Sequence, residues 1–157
     1  MSENELKSFG RLVGTWSTEA THPKLPGVVV HGTTEIEWLD GQQFLIQRSR
    51  VDHPDFPNSI SVIGNMAQDR VPEGARNTQA SATPLKAHYF DERGVFRILD
   101  ASIDETAWRL LREAPGFSQR FVGTFADKGH TISGLWQLCQ DDVHWNDDLR
   151  ITYKRVA

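Results

Sequence analysis

The sequence predicts an all-β fold: a closed up-and-down antiparallel β-barrel of about ten strands with a short N-terminal helix. Three observations predict it. Strand-like runs of about eight to eleven residues repeat along the chain, short turn sequences separate them, and no intervening segment looks like a crossover helix. Ten antiparallel strands in a meander leave two unpaired edges unless the sheet closes, which places the barrel ahead of a β-sandwich.

The helix is expected over residues 2–11, where Ser2 and Glu5 have capping-box spacing and Leu6, Phe9 and Val13 fall on one side. Strands follow near 14–22, 28–39, 43–52, 59–67, 85–91, 95–103, 106–113, 117–126, 130–139 and 144–155. Asp40-Gly41 reads as a two-residue hairpin loop tolerating positive φ at both positions. Asp91 to Gly94 and Asp127 to Gly129 read as type I turns with a left-handed glycine after them, and Pro115-Gly116 as a type II centre. Residues 68–84 break the rhythm: QDRVPEGARNTQASATP has little apolar content, and a join of that length is a mobile loop or a cover for a cavity mouth.

Composition narrows the function classes. The chain has 157 residues, 38% hydrophobic and 24% charged, which fits one globular domain over 1–157. Its net charge of −4 with scattered Lys and Arg gives no footprint for nucleic acid. The single cysteine, Cys139, rules out an internal disulfide and a cysteine-based zinc site, and suits a reducing compartment. The N-terminus lacks a signal-peptide pattern, and no apolar run is long enough for a membrane-spanning helix, so a cytoplasmic location is expected. No nucleotide, zinc-protease or serine-hydrolase motif is present, and the acidic stretch 141–148 lacks calcium-loop spacing, so neither metal nor cofactor is expected.

Alternation assigns the inner faces. The last strand puts Trp145, Leu149, Ile151, Tyr153 and Arg155 on one side. The first supplies Trp16, Thr18, Ala20 and His22, the second ends on Ile36 and Trp38, the seventh gives Trp108 and Leu110, and the eighth Gln119 and Phe121. Aromatic rings mixed with Thr, Gln, His and Arg suit a ligand cavity better than a solid core.

Gly14-Thr15-Trp16, directly after a short helix, resembles the Gly-x-Trp signature of the calycin superfamily, which includes lipocalins, fatty-acid-binding proteins and nitrobindins. More of the chain (EATHP, EWLDG, RSRVDHPDFP, HYFDERGV, APGFSQRF and DLRITYKRV) resembles a group of uncharacterised bacterial lipocalin-like proteins. The resemblance implies that Trp16 closes one barrel end and that Arg155 packs across its ring. Nitrobindins bind haem through a histidine on a C-terminal strand. Here Thr18 and Ala20 replace that family's first-strand glycines, and only His144 stands at the start of the last strand.

The candidate site gathers at the barrel mouth. His22 and His53 each precede proline at strand ends, and His88 is expected not far below them. The third strand has two possible parities: Phe44, Ile46, Arg48 and Arg50 inward, or Leu45, Gln47, Ser49 and Val51 inward. The first gives an inward Arg that needs an anion. On that reading Arg48 and Arg120 hold the acidic or oxygenated head of a small lipophilic ligand, with His22, Trp38, Phe44, His53, His88, Trp108 and Tyr153 around it. The alternatives are an isomerase, cyclase or hydrolase using a cavity histidine paired with Asp52 or Asp55, and a haem protein. An oligomer is compatible with all three.

Overall fold

A computed structural model describes residues 2–65 and 85–157, with side chains from residue 5 onward. Helix α1 (Ser2–Ser8) continues into a 3-10 turn (Phe9–Leu12), and ten strands follow. These are β1 (Gly14–Thr21), β2 (Val30–Trp38), β3 (Phe44–Val51), β4 (Ser59–Gly64), β5 (Leu85–Asp91), β6 (Phe96–Ile103), β7 (Ala107–Arg112), β8 (Ser118–Ala126), β9 (Thr131–Cys139) and β10 (Trp145–Arg155). Each strand pairs antiparallel with its sequence neighbours, and β10 closes on β1, making the all-β up-and-down barrel with no free edge. No helix among the described residues is long and apolar enough to cross a membrane.

One end of the barrel is plugged. Phe9 and Leu12 from the 3-10 turn are fully buried against Trp16, and Leu6 and Leu45 complete the floor. Trp16 Nε1 donates to the Leu12 carbonyl at 2.9 Å, tying the turn to β1. The Arg155 guanidinium lies 4.2 Å over the Trp16 ring, with Nη1 donating to the Val13 carbonyl and Nη2 to that of Arg11. Gly14 has φ +143°, and a Cβ there would strike the Arg155 guanidinium and come within 2.8 Å of the Ala157 carbonyl. The glycine two residues before the tryptophan is therefore the space through which the arginine reaches the ring.

The turns follow local chemistry with two differences from expectation. Gly94 and Gly116 are left-handed, and the Phe117 N–H closes the Pro115-Gly116 turn on the Ala114 carbonyl at 3.0 Å. The β2–β3 connection, however, spans residues 39–43, and its positive φ values fall on Gly41 and Gln42, not on Asp40. In 127–129, Asp127 and Lys128 are left-handed along with Gly129.

Two departures re-aim side chains. In β10, Asp147 pairs with Gln137 and Arg150 with Leu135, so three steps on one strand match two on the other. This bulge turns Asp148 and Leu149 both inward and leaves Trp145 outside, where alternation alone had placed it inside. In β3, Gln47, Ser49 and Val51 line the interior while Arg48 and Arg50 are exposed, so the second parity is the one adopted. A guanidinium on the outer face keeps its hydration, and Arg48 there donates to Glu37 at 2.9 Å across the β2–β3 ladder.

Candidate functional site

Above the floor lies a cavity of about 390 Å³ that opens at the barrel end carrying loops 22–29, 52–58, 92–95, 113–117 and 140–144. Its deeper wall is apolar and aromatic: Leu99, Leu110, Phe121, Trp136 and Ile151 surround Trp108. Trp108 packs edge-on against Phe121 at 4.9 Å and tilts against Tyr153 at 5.9 Å, and Tyr153 in turn stands edge-on to Trp16. Two inward glycines make room for this cluster, since a Cβ on Gly134 would lie 2.5 Å from the Phe121 ring and one on Gly123 3.0 Å from it. Neither glycine requires left-handed backbone; the requirement is steric.

A polar strip runs up the facing wall. Gln47, Ser49, Ser59 and Ser61, from the inward positions of β3 and β4, line the space. Ser49 shares a hydrogen bond of 3.0 Å with Thr34. Burial pushes the Tyr153 phenol above its ordinary value, and the nearby Gln47 side chain opposes that shift. Two lining atoms lack any hydrogen-bond partner among the described residues: Trp108 Nε1, on a side chain 1% exposed, and Gln119 Oε1, on one 9% exposed.

At the mouth, β5, the turn after it and β6 present Tyr89, Arg93 and Arg97 in that order. Tyr89 donates to Asp91 at 2.8 Å, and Arg93 donates to the same carboxylate oxygen at 2.7 Å. Burial and the Asp91 charge push the Tyr89 phenol up to about 12. Burial pushes the Asp91 carboxyl up, but the bonds from Arg93 and Tyr89 outweigh it and hold the group well below the usual carboxylate range. Asp91 thus neutralises Arg93. Arg97 lies 5.1 Å from the Phe117 ring and has no carboxylate partner among the described residues.

His22 reaches the rim, its Nε2 lying 2.7 Å from Asp148 Oδ1. The Lys24 N–H donates to Nδ1 at 3.1 Å, so that nitrogen carries the lone pair and Nε2 the proton facing Asp148. Both ring nitrogens are engaged, and the imidazole has no lone pair left for a molecule in the cavity. The pair also explains the bulge, which delivers Asp148 to the rim. The partner is therefore neither Asp52 nor Asp55, the carboxylates expected from sequence, but Asp148, which arrives through the β1–β10 closure.

Several expected site residues lie elsewhere. Phe44 and Arg48 are on the outer face of β3, Phe44 packing over Gly64. Arg120 is outside on β8, held between the Trp145 ring at 4.1 Å and Gln137 Oε1 at 2.7 Å. His88 also points outward, because Ala87 and Tyr89 take the inner positions of β5, and it stacks on Phe96 at 5.8 Å. Strand β5 begins at the floor end, not at the mouth, so His88 is not below the rim loops either. Trp38 faces the floor beside Gly10, away from the cavity, and His53 packs against Phe56 just outside the lining. His144 sits on the exposed β9–β10 turn, paired with Asp141 at 2.6 Å. Of the expected ligand contacts, His22, Trp108 and Tyr153 line the cavity. Arg97 and Gln119 are among its additional polar members; the alternation of β8 already places Gln119 inward, while Arg97 has no such signal because β6 carries apolar residues on both faces. The segment expected to cover a mouth, 68–84, lies outside the described residues.

No protein-family profile and no curated protein matches the chain. Solved structures do match, among them the crystal structure of Rv2717c from M. tuberculosis, with a TM-score of 0.62, 13% sequence identity and 97% of each chain covered. At that identity the likeness is one of fold alone.

Proposed function

We propose that this barrel binds a small lipophilic molecule with an acidic or oxygenated head, the apolar body in the cavity and the head at the mouth. The observation that carries the reading is Arg97: a guanidinium on the wall of an apolar cavity, without a carboxylate partner among the described residues. A charge in that position is stabilised by an anion, and a carboxylate on a lipophile supplies one. Arg97 takes the role that Arg48 and Arg120 have in the sequence reading. Tyr89, His22 and Asp148 frame the rim, and Trp108, Phe121 and Tyr153 receive the apolar body. A haem axial bond or a histidine general base would have to come from His22, the only histidine on the described lining, and its nitrogens are both occupied. Native mass spectrometry of protein purified without denaturation, followed by calorimetric titration with saturated monocarboxylates, tests the proposal. A bound small molecule or saturable one-to-one binding is the expected result; an empty protein that binds none of them overturns it.

A further inference from the structure

Inside the barrel, polar and apolar lining are segregated by strand. The register sets Gln47 beside Ser61, Ser61 beside Tyr89 and Tyr89 beside Arg97, so one inward row across β3, β4, β5 and β6 is polar throughout. Ser49 and Ser59 pair in the next row toward the mouth. On the other side stand Trp136 of β9 and Leu149 and Ile151 of β10. Strands β4 and β9 are five places apart in either direction round the closed ring of ten, so the serines of β4 face Trp136 across the interior.

These side chains present surface to the space they line. Ser59, Ser61, Tyr89, Arg97, Trp136 and Ile151 all line the cavity and are half-buried, where Leu99 and Phe121 are buried. No described residue bonds the Ser59 or Ser61 hydroxyl. The cavity is thus two-sided across its width. An alkyl chain is apolar all round, and on the β4 side it would cover hydroxyls that it cannot bond. A flat ring with oxygen on one edge suits both sides: its apolar part packs on the indole, and its oxygen meets the serines. The spacing agrees. Arg97 and Ser61 are two strand spacings apart, about 10 Å along the wall, a span that a bicyclic acid covers from its carboxylate to a hydroxyl on the far ring.

Resting on the cavity-binding reading above, we infer that the occupant is a flat, fused-ring acid with a hydroxyl or carbonyl along one edge. Its carboxylate meets Arg97, its oxygenated edge lies against Ser59 and Ser61, and its ring system packs against Trp136. A plain alkyl acid is the weaker ligand.

The test is calorimetric titration of the whole chain with decanoate, with 2-naphthoate and with the 2-naphthoates that carry one hydroxyl on the far ring. The best hydroxynaphthoate is expected to bind about tenfold more tightly than 2-naphthoate, as one added hydrogen bond predicts. For 2-naphthoate over decanoate the expected preference is about fivefold, from ring packing and from the smaller ordering cost of a rigid body. Joint Ser59→Ala and Ser61→Ala substitution should bring the hydroxyl preference to within about twofold while 2-naphthoate binding is unchanged. Trp136→Leu should do the same to the preference for the ring. Decanoate binding as tightly as the best ring acid overturns this inference and leaves the cavity-binding reading standing. So does equal binding of 2-naphthoate and its hydroxy derivatives, and so does either preference surviving in its own variant. Failure of every acid to bind, decanoate included, overturns the cavity-binding reading and this inference together.

Discussion

Two tryptophans share the interior of this barrel and differ in one bond. Trp16 and Trp108 are both essentially inaccessible, at 0% and 1% exposure. The Trp16 nitrogen is bonded and its ring is covered by Arg155, while the Trp108 nitrogen has no partner among the described residues. The floor is therefore assembled for stability, with each polar atom answered from within the chain. The wall above forgoes part of that stability, because a buried donor there goes unanswered among the described residues.

Substitutions at the two rings separate these roles most sharply. Trp16→Ala is expected to cost about 3–5 kcal/mol, since it opens a cavity beneath the whole barrel and frees the Leu12 carbonyl. Trp108→Phe is expected to cost less, about 1–2 kcal/mol, because it shrinks the buried ring and leaves a small cavity but breaks no hydrogen bond within the described residues. Urea denaturation of both variants checks this, and equal losses would erase the distinction between floor and wall. Next in size, Arg155→Met removes two hydrogen bonds and a cation–π contact and should cost about 2 kcal/mol by the same measurement. On the ligand side, Arg97→Met should weaken monocarboxylate binding about tenfold, while Arg48→Met and Arg120→Met on the outer face leave it unchanged. Titration calorimetry on the three variants reads that difference directly.

The smallest effect is expected at Asp91 on the rim. Its carboxyl is held below the usual range in the folded state, so ionisation favours folding at neutral pH. That contribution is complete above the pKa of the unfolded chain, about 4, and is lost as pH falls from there through the folded value. The difference in urea midpoint between wild type and Asp91→Asn should accordingly shrink between pH 6 and pH 3, as estimated from those titration limits.

The fold was legible because closure leaves repeated local marks. Turn glycines, short hairpins and the Gly14–Trp16–Arg155 set each specify a local geometry that agrees with the barrel. The site was less legible, and for a particular reason. Outside the barrel, β4, β5 and β6 expose Ile60, Phe90, Phe96 and Ile98, so apolar residues occupy both faces of this region. Alternation in β3 is then ambiguous, because Phe44 and Ile46 look as suited to the interior as Leu45 and Val51. The same ambiguity hides Arg97, which sits inward between Phe96 and Ile98. In β10 the bulge defeats alternation outright: Trp145 shares the parity of Tyr153 in sequence and the opposite face in space. The His22–Asp148 pair joins residues 126 apart, and only closure of the barrel brings them within reach.

The bulge also makes chain length at the rim a variable in its own right. Because β10 carries one residue more than its ladder with β9 can use, removal of Leu149 would restore regular pairing without turning any neighbouring side chain to the other face. Such a deletion would fall on the cavity and spare the barrel: the rim loses an apolar contact while Asp148 keeps its side and the strand below keeps its register. In most strands an indel scrambles everything downstream. Here one residue can come or go, and the aperture alone is resized.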